Sequence, residues 1–307
     1  MHNTKPTPVL VTGAGSGIGL AIVQALLQAG HRVYAGARQA GHRQMLQDLG
    51  AQALPLDVRD AAQVQRAADS ITQAGHGLHA VVHNAGVGGI GLLQGWPDED
   101  LHALFDTNVF GPHRLTRALM PLLLQSRGRV VCIGSQGGSI TSPLMGPYTM
   151  SKHALEAYAE CLRLELAPHG LAVSMVQPGA VATAIGDKGR AGNVARLQAT
   201  PAPFDSASQA ALAGLLKPAP PNLDEPESAT NRRHASPEKV AAVVMQALFD
   251  AQPQARYLVG TRWEGDRVIA ALTERLLDAA QSPSHGLSLQ QLVERLASAW
   301  QARDHRP

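Results

Sequence analysis

Tyr148 and Lys152 stand four residues apart in the stretch Gly-Pro-Tyr-Thr-Met-Ser-Lys, a spacing that puts both side chains on one face of a helix. Ser135 lies thirteen residues before the tyrosine, at the end of an apolar run. A phenol beside an ammonium group can exchange protons near neutral pH, because a fixed cation favours the phenolate. Lowering a phenol from its ordinary pKa of about 10 by roughly three units takes about 4 kcal/mol of differential interaction. One ammonium in a half-dry site can supply much of that. By itself the pair also fits a solvated helix face. Its neighbours offer less: Tyr158 has Leu162 four residues on and reads as packing, and His153 points to another helix face as a structural or pocket-lining residue. Ser139 and Ser142 lie close to Ser135, but neither ends the apolar run.

The elements that must position these groups follow from the rest of the chain. At 307 residues and 45% hydrophobic, it is long and apolar enough for one large α/β domain. A net charge of +2 gives no electrostatic pointer to nucleic acid or a membrane surface. The thirteen histidines are scattered, the His79 and His83 pair falls in an expected strand rather than on a helix face, and no Cys-x-x-Cys occurs, so no metal site is expected. Cys132 falls in an apolar strand and Cys161 in a helix; both read as buried thiols in a reducing, cytoplasmic setting. The amino-terminal residues are polar and no apolar stretch reaches about 18 residues, so neither a signal peptide nor a membrane span is expected.

Apolar runs at 8–12, 32–36, 51–56, 79–83, 129–134, 171–177 and 256–259 read as strands. Helix-period stretches separate them at 17–29, 40–49, 61–74, 98–124, 147–168 and 236–250. This alternation predicts a parallel sheet, and near-continuous apolar strands predict cover on both of its faces. The expected fold is therefore α/β, a Rossmann-type three-layer αβα sandwich on a mostly seven-stranded parallel sheet. It forms a single domain over 1–307, with a flexible tail at 1–7. The proline-rich segment 184–235 is too long for an ordinary loop and reads as a mobile substrate-binding lid with one or two short helices, such as 206–216. A helical extension at 264–303 reads as an appended cover, and Ser288 with Gln291 suits a capping box for its second helix.

After the first strand comes Thr12-Gly13-Ala14-Gly15-Ser16-Gly17-Ile18-Gly19, and then a helical run. Glycines allow a tight turn and close backbone approach, and a helix amino terminus favours phosphate. Following the first strand of a βαβ pattern, this loop is a dinucleotide-binding candidate. The Gly13, Gly17, Gly19 spacing matches Thr-Gly-x-x-x-Gly-x-Gly, and here the chain resembles the classical short-chain dehydrogenase/reductase family. That family's Asn-Asn-Ala-Gly stretch appears as His83-Asn84-Ala85-Gly86, with histidine at the first place. Its catalytic asparagine, serine, tyrosine and lysine match Asn108, Ser135, Tyr148 and Lys152, and its Pro-Gly motif with a downstream threonine matches Pro178, Gly179 and Thr183. The resemblance covers about residues 8–260.

The resemblance implies roles. Tyr148 is the general acid in carbonyl reduction and the base in alcohol oxidation. Lys152 lowers the phenol pKa and binds the nicotinamide ribose, Ser135 holds the substrate oxygen, and Asn108 holds a water that links Lys152 to solvent. Gly13, Ser16, Gly17, Ile18, Gly19, Asp57, Val58, Asn84, Ala85, Gly86, Tyr148, Lys152, Pro178, Gly179, Val181 and Thr183 are expected to contact the cofactor, with Asp57 accepting from the adenine amino group. An acid at the end of the second strand would select NAD. This chain has Ala37 there, followed by Arg38, a position for contacting a 2′-phosphate, so NADP(H) is favoured and NAD(H) remains possible. Ser16 stands where many NADP-dependent members carry a second basic residue.

The expected pocket wall, 87–93, 136–145 and the lid from 184, offers Ile90, Leu92, Leu93, Leu144, Met145 and Ile185. Lys188 and Arg190 are the only nearby cations, and both sit in the lid segment. An apolar alcohol or ketone is therefore expected, and the stretch 148–183 is similar to members acting on retinoids, steroids or similar alcohols. The alternatives are an epimerase or dehydratase of the extended family and a non-catalytic NADP-binding regulator. The glycine spacing argues against the first and the complete catalytic set against the second. Family pairing through two long helices, here 98–124 and 147–168, implies a homodimer or homotetramer.

Overall fold

Residues 6–183, 185–218 and 220–304 are described by a computed structural model, without the side chains of residues 185–188, 303 and 304. Most of the tail expected at 1–7, and Ala184 at the start of the lid, lie outside the described residues. The apolar runs form seven strands: β1 (Pro8–Thr12), β2 (Arg32–Ala37), β3 (Gln52–Pro55), β4 (Ala80–His83), β5 (Arg129–Ile133), β6 (Ala172–Pro178) and β7 (Arg256–Val259). All pairings are parallel, in the order β3-β2-β1-β4-β5-β6-β7. Strand side chains alternate between faces. Val9 and Val11 enter a core with α1 (Gly17–Gln28) and α9 (Pro237–Phe249). Leu10, between them, enters a second core with α3 (Ala61–Gln73), α5 (Gly111–Ser126) and α6 (Gly146–Leu166). The result is the expected Rossmann-like αβα sandwich. β3 is shorter than expected because it is an edge strand, paired only where Tyr34–Ala37 of β2 meets Gln52–Pro55.

The helix expected over 98–124 is broken. α4 (Asp98–Phe105) passes through a π turn, Asp106–Phe110, into α5. Pro112 is the local cause: it has no N–H to give the Asn108 carbonyl four residues earlier, and its ring crowds that carbonyl. Such π turns recur at functional sites, and this one holds Asn108.

The segment expected as a lid carries two helices, α7 (Ile185–Gln198) and α8 (Asp205–Leu216). The second matches expectation; the first, interrupted by three glycines, has no clear apolar period. Both ends of the excursion are stitched together, since Ala235 donates to the Ala180 carbonyl at 2.8 Å and Ala182 to that of Ala235 at 3.0 Å. α7 is also anchored at its far end. Arg196 pairs with Asp100 at 2.6 Å, donates to Asn193 at 2.7 Å and lies 4.0 Å over the Trp96 ring. The segment is thus held by the backbone stitch at its ends and by Arg196 on α7.

The carboxy-terminal pair is α10 (Arg262–Ala280) and α11 (Leu289–Asp304). α10 starts before 264 because Thr261 and Glu264 form a capping box. Ser288 and Gln291 exchange the expected capping bonds at 2.9 and 3.2 Å. As a cover the pair does little: Val268, Ala280 and Leu292 are buried, whereas Ile269, Leu289, Val293 and Trp300 are exposed. Cys161 is exposed too, against expectation, because it lies on the outer face of α6; Cys132 is buried.

α5 is held to the sheet by Leu115, Leu119 and Leu123, spaced four apart and fully buried. Leu119→Ala should cost about 2–5 kcal/mol of unfolding free energy, read from denaturant midpoints. A change within experimental error would mean that α5 does not depend on this stripe.

Candidate active site

The strand order reverses between β1 and β4, and a cavity of about 500 Å³ opens at the carboxy ends of the strands there. Its floor is the glycine loop. Gly13 and Gly17 adopt φ of +63° and +55°, which favour glycine. A Cβ on Gly13 would stand 2.9 Å from the Ala85 Cα, and one on Gly17 3.0 Å from Thr183. Thr12 explains its own place: its hydroxyl accepts from the Asn84 and Ala85 amides at 3.0 and 2.9 Å. Asn84 returns two bonds, to the Thr12 and Gly13 carbonyls at 2.9 and 3.2 Å. His83, which departs from the asparagine of the resemblance, turns into the core beside Thr116 at 2.7 Å, and burial pushes its pKa down to about 3, so it is neutral.

Tyr148 and Lys152 lie on one face of α6, with Nζ 5.8 Å from the centre of the phenol ring. Ser135, at the end of β5, hydrogen-bonds the phenol and accepts from the Gly137 amide at 3.0 Å. The expectation that Lys152 sets a low phenol pKa is corrected here. Tyr148 lines the open cavity, but the protein packed round its hydroxyl pushes the phenol above its ordinary value, and the opposing pull comes from Ser135. Lys152 is 6% exposed, donates to the Ile133 carbonyl at 2.9 Å and is pushed down by burial to about 8.

Asn108 lies one layer behind the cavity wall and is 1% exposed. Its amide group bonds both the N–H and the carbonyl of Val87 at 2.9 Å, and donates to Ser151 at 2.9 Å. Ser151 in turn donates to the Tyr148 carbonyl at 2.8 Å. The side chain therefore joins the segment after β4 to the first turn of α6.

Gly13, Ser16, Gly17, Ile18, Arg38, Asp57, Val58, Asn84, Ala85, Gly86, Pro178, Gly179, Val181 and Thr183 all line the cavity, as do Ser135, Tyr148 and Lys152. Gly19 does not; a Cβ there would collide with the Gly13 carbonyl and Asn84, so its part is to let the loop close on β4. Both Asp57 oxygens are bonded by Arg59, at 3.0 and 2.7 Å, which holds the carboxyl below its usual range. Of the expected substrate wall, Val87, Gly88 and Gly189 line this cavity, while Ile90, Leu92, Leu93, Leu144 and Met145 do not. The Ile185 and Lys188 side chains lie outside the described residues, and Arg190 does not reach the cavity. Gln39, His42 and Thr107 line it unforeseen, because only the folded chain brings them there. His153 bonds the Thr149 carbonyl at 2.8 Å and is structural. Among the described residues no cluster of His, Cys, Asp or Glu could hold a metal ion, and no helix is long and apolar enough to cross a membrane.

The buried ammonium has a consequence for stability. Between about pH 8 and the ordinary lysine value near 10.4, the unfolded chain binds the proton that folded Lys152 has lost. The Lys152 contribution to stability therefore rises with pH through that window. Denaturant midpoints measured from about pH 7.5 to 10 should show part of this rise disappear in Lys152→Met. Parallel curves for the two proteins would show that Lys152 keeps an ordinary pKa.

A family model described as short chain dehydrogenase matches residues 7–193. The NADPH-dependent 3-dehydrocapnine reductase of Ornithobacterium rhinotracheale is 32% identical over 263 residues, 82% of this chain and 88% of the reductase. Retinol dehydrogenase 5 of Mus musculus is 39% identical over 177 residues, 56% of this chain and 55% of that enzyme. The crystal structure of a short chain dehydrogenase/reductase from Burkholderia phymatum in complex with NAD aligns with a TM-score of 0.72 at 26% identity, covering 94% of this chain and 100% of that one. The matched residues run from β1 into α7 and so contain the glycine loop, the π turn and the phenol–lysine pair. With this architecture, the chain belongs to the short-chain dehydrogenase family of oxidoreductases.

Proposed function

We propose that the protein interconverts a carbonyl and an alcohol on a lipophilic substrate with NAD(P), using NADP(H) in preference to NAD(H). One observation carries the reading: a Ser135-bonded phenol and a buried lysine share a single cavity with a glycine cradle that side chains would fill. That cavity suits a dinucleotide in size and in its exposed loop backbone. A bound nicotinamide would supply or accept the hydride. The chain's own residues handle the proton. In reduction Tyr148 donates its hydroxyl proton to the substrate oxygen, and in oxidation the phenolate takes it back. Ser135 donates to the same oxygen and holds it as charge develops. Lys152, with the Asn108 carbonyl that Pro112 leaves without an α-helical donor, holds the water that restores the proton, and it binds the ribose hydroxyls.

Tyr148→Phe keeps the ring against Gly88 and Gly137 and removes only the hydroxyl. Turnover of a panel of lipophilic ketones and alcohols should fall at least about a hundredfold, with cofactor affinity within about twofold of wild type. Near-normal turnover would remove Tyr148 as the acid and base.

The lipophilic reading rests on the cavity-lining residues described near Tyr148, among which Lys152 is the one cation, and on kinship with enzymes named for retinol and 3-dehydrocapnine. Retinoid-, steroid- and ketone-like compounds are the substrates to try first. The cofactor preference rests on Ala37 and Arg38 at the end of β2, where Arg38 is 59% exposed and stands 4.0 Å from Asp57. Arg38→Leu should raise the NADPH dissociation constant about tenfold and that of NADH about twofold or less. Equal losses would exclude Arg38 as the phosphate contact.

The exposed Phe110 and Leu124 by α5, with Met150 and Leu164 on α6, support a homodimer or homotetramer formed through these helices. Light scattering at micromolar concentration should give two or four chain masses, and a stable monomer would sink the idea. The exposed free thiol of Cys161 suits a cytoplasmic location.

A further inference from the structure

We infer that His42 forms the second wall of the 2′-phosphate pocket and, with Arg38, determines the preference for NADPH over NADH. This rests on the NADP(H) reading above and names the residue that completes it. One arginine whose side chain is 59% exposed is a weak discriminator, because solvent screens most of its charge. The glycine loop offers Ser16 where a second cation would help.

Tertiary structure brings that second group from another element. His42 lies in the first turn of α2 (Ala40–Asp48) and rests on Gly15, the residue before Ser16. A Cβ on Gly15 would stand 2.5 Å from His42 Nδ1 and 2.6 Å from its Cγ, so Gly15 is glycine because the imidazole occupies the place of its side chain. Gly15, Ser16, Arg38, Gln39 and His42 all line the cavity, with His42 against Gly15 and four residues on from Arg38. Arg43 fixes the turn between them by donating to the Ala37 and Arg38 carbonyls at 3.4 and 2.5 Å. The acid at this end, Asp57, is engaged by Arg59 at 2.7 Å. The first turn of α2 adds backbone N–H groups that favour an anion.

A phosphate on the adenosine 2′-oxygen would thus meet Arg38 from the end of β2 and the imidazole from α2, over a floor of loop backbone. An imidazole carries at least one N–H in either tautomer, so it can donate to phosphate. The 2′-hydroxyl of NADH offers neither a charge nor three acceptors to this pair, which is why the effect falls on one cofactor and not on both.

Calorimetric titration with 2′,5′-ADP and with 5′-AMP isolates the 2′-phosphate from the nicotinamide half. Wild type should bind 2′,5′-ADP the more tightly. His42→Phe keeps a flat ring over Gly15 and removes the donor; it should weaken 2′,5′-ADP about tenfold and 5′-AMP less than about twofold. His42→Arg should restore the difference. If the phenylalanine variant does not fold, His42→Leu makes the same comparison. Equal losses for both ligands, or none, would overturn the assignment and leave His42 as a loop-packing residue while the NADP(H) reading stands. Equal binding of the two ligands by wild type would instead overturn the NADP(H) reading and this inference with it.

Discussion

The active face of this protein depends on keeping the Lys152 ammonium inside the fold, 6% exposed, with the Ile133 carbonyl as its hydrogen-bond partner. A buried cation is costly unless the surrounding groups are fixed to receive it. The neighbouring elements supply that fixing. β5 delivers the Ile133 carbonyl and, two residues later, Ser135. α6 carries lysine and phenol on one face. Glu156, one turn further along α6, adds a negative charge that Gln177 and Arg256 hold at 2.9 and 3.2 Å. Burial pushes the ammonium down and the phenol up, so both are drawn toward their neutral forms.

The second constraint is steric. β1 and β4 end side by side, and the segments after them must touch for the cavity to have a floor. Gly13 and Gly19 permit the approach, and the Thr12 hydroxyl and Asn84 amide convert it into hydrogen bonds. Asn108 repeats the device one strand further along, where its amide joins Val87 to Ser151. Two asparagine side chains therefore lock three segments round the cleft, each satisfying backbone groups that would otherwise be buried without partners. Pro112 is part of the same arrangement, since the π turn it enforces sets Asn108 facing Val87.

Much of this was legible in the residues. Continuous apolar runs of four to seven residues placed the strands, because a sheet covered on both faces needs no polar alternation. The spacing of Tyr148 and Lys152 and the glycine loop located the site, because both are local patterns. The break at 106–110 was missed, since apolar periodicity runs through it and only the lost N–H of Pro112 marks it. Of the one or two helices expected in the segment, α7 was not placed because its glycines dilute the pattern, and it is held instead by Arg196 against Asp100 and Trp96. Which side chains line the cavity was not legible, because nearness in sequence to Ser135 and Gly86 does not decide which of them face it.

The sequence by itself determined the layer order, the position of the glycine loop and the pairing of Tyr148 with Lys152, because each is written in residues within one turn or one strand of each other. The tertiary structure decided what surrounds them. It put His42 on Gly15, confined the Asn108 amide to a joining role and raised rather than lowered the phenol pKa. These outcomes depend on distances between elements far apart in the chain and on the burial those distances create, and neither can be read from local spacing.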